Sequence, residues 1–156
     1  MPTVKQIRDA IKAKIETVPG SGVIHTYERY AKDASALAAL YYYGAAPTKR
    51  LHGWHIRRVA KREVLVDTDR WSLWFTWRIR GFMGLDDADA TEELFDTECD
   101  AIADAFRADD TLGGLVFSQM PDDREIGIQV VKAEPVLFAG VLCHSAELGL
   151  TTQHLL

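Results

Sequence analysis

The residues of this sequence best able to do chemistry are five histidines, two cysteines and a dense run of carboxylates. His52 and His55 stand three apart, but a His-x-x-His pair with no carboxylate nearby in sequence is a weak metal signal. With His25, His144 and His154 they are expected at the surface or at an interface. Asp87, Asp89, Thr91 and Glu98 occupy the first, third, fifth and twelfth places of a calcium-binding loop. The hinge place, which needs glycine, holds Glu92, and Leu94 and Phe95 continue a helical stripe that such a loop would interrupt. The acidic start of an ordinary helix explains the run better.

Nucleophilic chemistry has no better support. His144 follows Cys143 in an alternating strand pattern, so the two side chains point to opposite faces and cannot pair as nucleophile and base. Gly20-Ser21-Gly22 and Gly113-Gly114 lack the Lys-Ser/Thr of a phosphate loop and read as turns, and no Gly-x-Ser-x-Gly elbow occurs. Cys99, in a helical pattern, and Cys143, in a strand pattern, are expected to be buried small apolar residues. No catalytic, cofactor or metal residue is assigned, and the chain is not expected to be an enzyme.

The elements follow from periodicity. Thr3 and Gln6 have capping-box spacing, and Val4, Ile7, Ile11 and Ile15 then recur as the apolar stripe of a first helix that ends at Pro19-Gly20. A strand is expected over 23–30 and a second strand over 54–66 with Val59 on a solvated or interface face. Between them 31–49 is treated as a long connection, although Ser35 to Tyr43 could form a short helix and Tyr41-Tyr42-Tyr43 suits a strand equally well. In the clearest strand, 70–80, Trp71, Leu73, Phe75, Trp77 and Ile79 form an apolar face, while Trp74 alone interrupts the polar face of Arg70, Ser72, Thr76, Arg78 and Arg80. Gly81 and Gly84 should close it. A second helix, capped by Asp89 or Thr91, places Leu94, Phe95, Cys99, Ile102, Ala105 and Phe106 on its buried stripe. Strands over 116–120, 126–133 and 136–147 follow, separated by Pro121-Asp122-Asp123 and by Pro135. The expected fold is a single α+β domain over 1–156, a mostly antiparallel or mixed sheet of about six strands with two helices on one face.

The 156 residues are 47% hydrophobic, enough for one sizeable core, and no apolar run approaches the length of a membrane-spanning helix. The opening Met1-Pro2-Thr3 runs straight into the first helix, so an export signal is not expected. The net charge is −5, but its distribution is uneven. Residues 49–80 carry nine Lys/Arg against Glu63, Asp67 and Asp69, a net +6, whereas residues 86–110 carry eleven Asp/Glu against Arg107, a net −10.

Several stretches carry a family likeness: the opening helix from Thr3 to Ile11; Phe75-Thr76-Trp77-Arg78-Ile79-Arg80-Gly81 leading into Gly84-Leu85-Asp86-Asp87; the helix containing Glu93-Leu94-Phe95-Asp96 and Asp100-Ala101-Ile102; and Cys143-His144-Ser145-Ala146-Glu147-Leu148. In these and in its order of elements the chain resembles the tail terminator, or tail completion, proteins of long-tailed bacteriophages, the lambda-type family. That resemblance implies a structural virion protein, made in the host cytoplasm, that forms a ring, usually a hexamer, at the head-proximal end of the tail tube. Such a ring ends tube polymerisation and offers a surface for head-tail joining. Its partners would be further copies of itself, the tail tube protein and head-tail connector proteins, with DNA passing the lumen unbound and no cofactor needed. Other head-tail connector or tail-tube components share similar folds and form the neighbouring alternative.

The adjacent basic and acidic stretches suggest how copies would meet: Arg57, Arg58, Lys61 and Arg62 of one subunit facing Asp100 and Asp104 of the next. Alternatively the acidic helix lines the lumen and repels passing DNA. Two rivals come from other classes. One is a nucleic-acid-binding module using Arg57, Arg58, Lys61, Arg62, Arg78 and Arg80 with interleaved tryptophans. The other is a metal-dependent enzyme on Asp86, Asp87 and Asp89 with His52 or His55.

Overall fold

The computed structural model describes residues 1–119 and 125–156. The Thr3 hydroxyl accepts from the Gln6 N–H at 3.2 Å and the Gln6 side chain accepts from the Thr3 N–H at 2.8 Å, completing the capping box of helix α1 (Val4–Glu16). Strand β1 (Val23–His25) follows. The stretch treated as a long connection holds both elements its residues allowed, a short helix, α2 (Ala34–Ala39), capped by Asp33, and strand β2 (Tyr42–Tyr43). Strands β3 (Arg50–Asp67) and β4 (Arg70–Gly84) make a long hairpin. Helix α3 (Thr91–Arg107) comes next, and β5 (Gln129–Phe138) and β6 (Val141–Leu155) form a second hairpin.

The strands build one mixed sheet in the order β1-β3-β4-β6-β5, with β2 added against β3. Only β1 on β3 is parallel; the other pairings are antiparallel. The fold is α+β, as expected. Helices α1 and α3 lie on one face, where Ile7, Ile11 and Ile15 meet Trp54, Ile56, Phe75, Trp77, Ile79, Ile102 and Phe106 in the main core. Burying each such side chain is worth roughly 1.5–3 kcal/mol. Helix α2 departs from the two-helix, one-face expectation. It closes a smaller core on the opposite face with Tyr41, Leu51, Phe82 and Cys143.

Strand β4 alternates as its sequence requires, but its apolar face is not buried throughout. Leu73, Phe75, Trp77 and Ile79 are buried, whereas Trp71 is 47% exposed because it lies at the hairpin's far end. Of the two glycines expected to close the strand, Gly84 is its last residue, whereas Gly81 lies inside it, paired with Trp54. The start of α3 also differs: Asp87–Asp89 form a 3-10 turn, and Ala90, in the left-handed region at φ 51°, precedes Thr91 without a side-chain cap. The Thr91 hydroxyl instead accepts from the Asp86 N–H at 2.9 Å. Leu94, expected in the buried stripe, is 52% exposed, and Glu98 takes an inward position.

Later in the chain, the strand expected over 116–120 is, among the described residues, an isolated bridge between Ser118 and Gln153. Met120 and the Pro121-Asp122-Asp123 turn lie outside the described residues. Pro135 does not separate one strand from another. It sits within β5, where an edge strand tolerates a residue without an N–H, and the reversal comes at Ala139-Gly140, both at positive φ.

Gly81 has a packing role that alternation alone does not reveal. A Cβ there would stand 2.3 Å from the Trp54 ring, so the absent side chain is the seat of the indole. Gly81→Ala should therefore displace Trp54 and cost about 1–3 kcal/mol, read as a lower urea midpoint. An unchanged midpoint would contradict this seating.

Candidate functional site

Glu98 is the one acidic residue of α3 that is buried among that helix's many exposed carboxylates. His52 and Trp54, two residues apart on β3, project to the same face and reach it together. The His52 Nε2–H donates to Glu98 Oε2 at 2.6 Å and the Trp54 Nε1–H donates to Oε1 at 2.8 Å. Trp54 also stacks on Phe95, one turn earlier in α3, with centroids 5.5 Å apart. These contacts lie beside a cleft of about 470 Å³ bordered by Val18, Tyr43, Arg50, Met83, Leu94 and Ala101. Arg50 is itself held by Asp89 at 3.1 Å. His52 and Glu98 thus satisfy each other and Arg50 is held from outside the cleft, an arrangement that clamps helix to sheet.

The histidines expected outside are mostly inside. His52, His55 and His154 are buried, because each finds an internal polar partner. His55 lies on the opposite face from His52, as a three-residue step along a strand dictates, so the two share no site. It shares a hydrogen bond of 3.1 Å with the Tyr41 hydroxyl. Burial pushes the His55 imidazole down to about 4 and the Tyr41 phenol up to about 12. His25 and His154 are lowered too, chiefly by burial. Burial likewise raises the Cys99 thiol to about 12 and the Cys143 thiol to about 11, which removes both as thiolate nucleophiles near neutrality. His144 turns to α3, 2.7 Å from the Thr91 hydroxyl, while Cys143 is in the core of the other face.

The six residues singled out for self-association fall in two places. Arg57, Arg58, Lys61 and Arg62 are on the outer half of β3, where every residue from 57 to 67 is exposed. A bulge at Val59 puts Arg58 and Lys61, opposite Trp77 and Phe75, on the face of α1 and α3, and Arg57 and Arg62 on the other. Arg58 lies 4.9 Å from the Phe75 ring centroid and Arg62 5.4 Å from that of Trp74. Arg57 pairs with Glu28 at 3.1 Å and Lys61 with Glu63 at 2.6 Å. Asp100 and Asp104 are exposed on α3, Asp104 paired with Arg107 at 2.6 Å.

Val59, expected on a solvated or interface face, is 47% exposed, and Val64, Leu65, Val66 and Trp71 of the same hairpin, which sequence patterning did not single out as exposed, are each more than a third exposed too. The signal was present in Val64-Leu65-Val66, an uninterrupted apolar run beside a hairpin turn rather than an alternation.

Among the described residues no group of three His, Cys, Asp or Glu could hold a metal ion, and no helix is long and apolar enough to cross a membrane. No protein-family model matches the chain, and no curated protein sequence matches it.

Two outcomes follow from the buried polar groups. Glu98→Leu leaves two buried donors without an acceptor and should cost about 3–5 kcal/mol, with Glu98→Gln recovering some of it; calorimetric melting compares the two. A small loss for Glu98→Leu would mean that the clamp is not formed. For His55, the unfolded chain titrates near the ordinary value of about 6.5 and therefore binds more protons than the folded chain between that pH and about 4. Stability should fall as pH drops through this window, on the order of 3 kcal/mol from His55 alone. Urea unfolding at pH 7 and pH 4.5, with His55→Gln for comparison, checks both sign and share.

Proposed function

We propose that this protein is a self-assembling structural component of a bacteriophage tail, a terminator ring formed of identical subunits at the head-proximal end of the tube. The observation that carries the reading is the outer half of the β3–β4 hairpin, exposed along residues 57–67 with Val59, Val64, Leu65, Val66 and Trp71 open to solvent. Apolar surface left open along an outer strand suits an association site rather than a finished exterior.

Chemistry and charge agree with an assembly role. The buried histidines, the protonated thiols and the Glu98 clamp all serve packing. The basic residues of the ribbon are engaged with Glu28, Glu63 and aromatic rings, which leaves them poorly disposed as a row of phosphate contacts. The ring would join the tail tube protein on one side and head-tail connector proteins on the other within the virion, and DNA would pass its lumen without specific binding.

Mass measurement and negative-stain imaging of the purified protein, alone and with tail tubes, test the reading. Rings of tube-like diameter that cap tubes are expected; a monomer at all concentrations that leaves tubes uncapped overturns it. For the charged contacts, Arg58→Glu with Lys61→Glu should block ring formation and Asp100→Lys with Asp104→Lys should restore it. Rings that form equally well with either pair reversed alone would exclude that contact.

A further inference from the structure

The sheet is open at both sides, and the two open edges differ. Among the described residues, β1 pairs with β3 only at Gly53–His55 and β2 only at Arg50 and Leu51, so no strand pairs with the outer edge of β3 beyond His55. At the other end of the strand order β5 pairs, among the described residues, only with β6. Its outer side is exposed, with Val130, Val131 and Leu137 each more than half exposed. An edge strand presents unpaired N–H and C=O groups and templates another strand unless it is short, charged or covered. Here both edges are long and partly apolar.

We infer that the outer edge of β3 in one subunit pairs, antiparallel, with β5 of the next, so that the sheet runs on from subunit to subunit. The inference rests on the assembly reading above and names the surfaces that would form the joint. Strand direction supports it. Successive antiparallel pairings β3–β4, β4–β6 and β6–β5 leave β5 running opposite to β3. A ring rotation whose axis is moderately inclined to the strands keeps their sense, so β5 of a ring neighbour arrives antiparallel to β3.

Charge supports it independently. Glu92, Asp96, Asp100 and Asp104 recur every four residues and form one stripe along α3. The first two border a cleft with Ala133, Glu134 and Pro135 of β5, which puts the start of the acidic stripe on the β5 side of the sheet. Extending a sheet edge to edge keeps its two faces distinct. Arg58 and Lys61, on the helix-bearing face of β3, would then come beneath the acidic stripe of the neighbour's α3. A β3–β3 or β5–β5 joint would instead set like charges together.

The edges are offset along the strands. Gln129 at the start of β5 is level, through Gly149 and Arg78, with Arg57, and β5 runs from there away from the hairpin tip while free β3 runs toward it. A closed ring of this kind requires tilted strands, as closed sheets have.

Cysteine cross-linking tests the joint, since both native thiols are buried. Ala60, Arg62 and Val64 on β3 are replaced by cysteine in turn and combined with Val131→Cys, Lys132→Cys or Glu134→Cys on β5, positions that share the face without α1 and α3. The assembled full-length protein is then oxidised, and its assembly state is measured in parallel. At least one double variant should give a covalent ladder ending in a closed ring, and its two single variants none. Dimers from a single β3 variant would show β3–β3 pairing and overturn the proposal. Rings that form while no double variant cross-links would overturn it too, leaving the assembly reading intact. A protein that never assembles would overturn both.

Discussion

A single buried carboxylate joins the two oppositely charged regions of this chain. Glu98 belongs to the acidic helix α3, and its two oxygens accept from His52 and Trp54 of the otherwise basic strand β3. A lone carboxylate in an apolar core is costly, and two donors that occupy both oxygens offset that cost while allowing little choice of register. The clamp sets α3 at one height on the sheet, and Gly81 leaves the space in which the Trp54 ring meets Phe95. With α3 held there, its other carboxylates face solvent, and the acidic stripe stands over the side of the sheet away from the basic ribbon.

This arrangement concentrates folding energy in one half of the molecule. The inner portions of β3 and β4 lie between the helical layer and the small core around Tyr41 and Phe82, and have cover on both faces. Beyond Ile56, β3 loses that cover, yet it stays paired with β4 to the end of the hairpin. A strand with paired backbone and uncovered side chains contributes little to the monomer's core, and assembly is the function such a segment suits.

The elements of the fold legible in sequence were those in which one period dominates. The Thr3-Gln6 box and the isoleucine spacing of α1 were sufficient because local capping and a single buried face agree. The alternation of β4 gave its faces correctly but not its length, because nothing local distinguishes a glycine that ends a strand from one that admits a neighbouring ring. Pro135 was misplaced for a related reason: a proline breaks a central strand but not an edge, and strand order is a long-range property. At the candidate site, the exposed basic cluster was legible as composition. The Glu98 clamp was not, since His52 and Glu98 are far apart in sequence and only packing shows which carboxylate among so many turns inward.

The two ends of the sheet also bear on the symmetry of any assembly. An isologous contact sets a surface against itself, which here would juxtapose Arg57, Arg58, Lys61 and Arg62 with their own copies, or the acidic stripe with its own. Like charges at short range disfavour both joints, and the like-charge arrangement persists however the apolar residues of the ribbon are packed. A heterologous contact brings unlike ends together and leaves one of each unsatisfied at every step, until rotation closes the chain of subunits. A sheet with a basic strand at one edge, an acidic helix stripe toward the other and apolar residues open along β3 is therefore suited to rings or filaments rather than to dimers. The angle between successive subunits decides between those two, and the tilt demanded by the offset edges contributes to that angle.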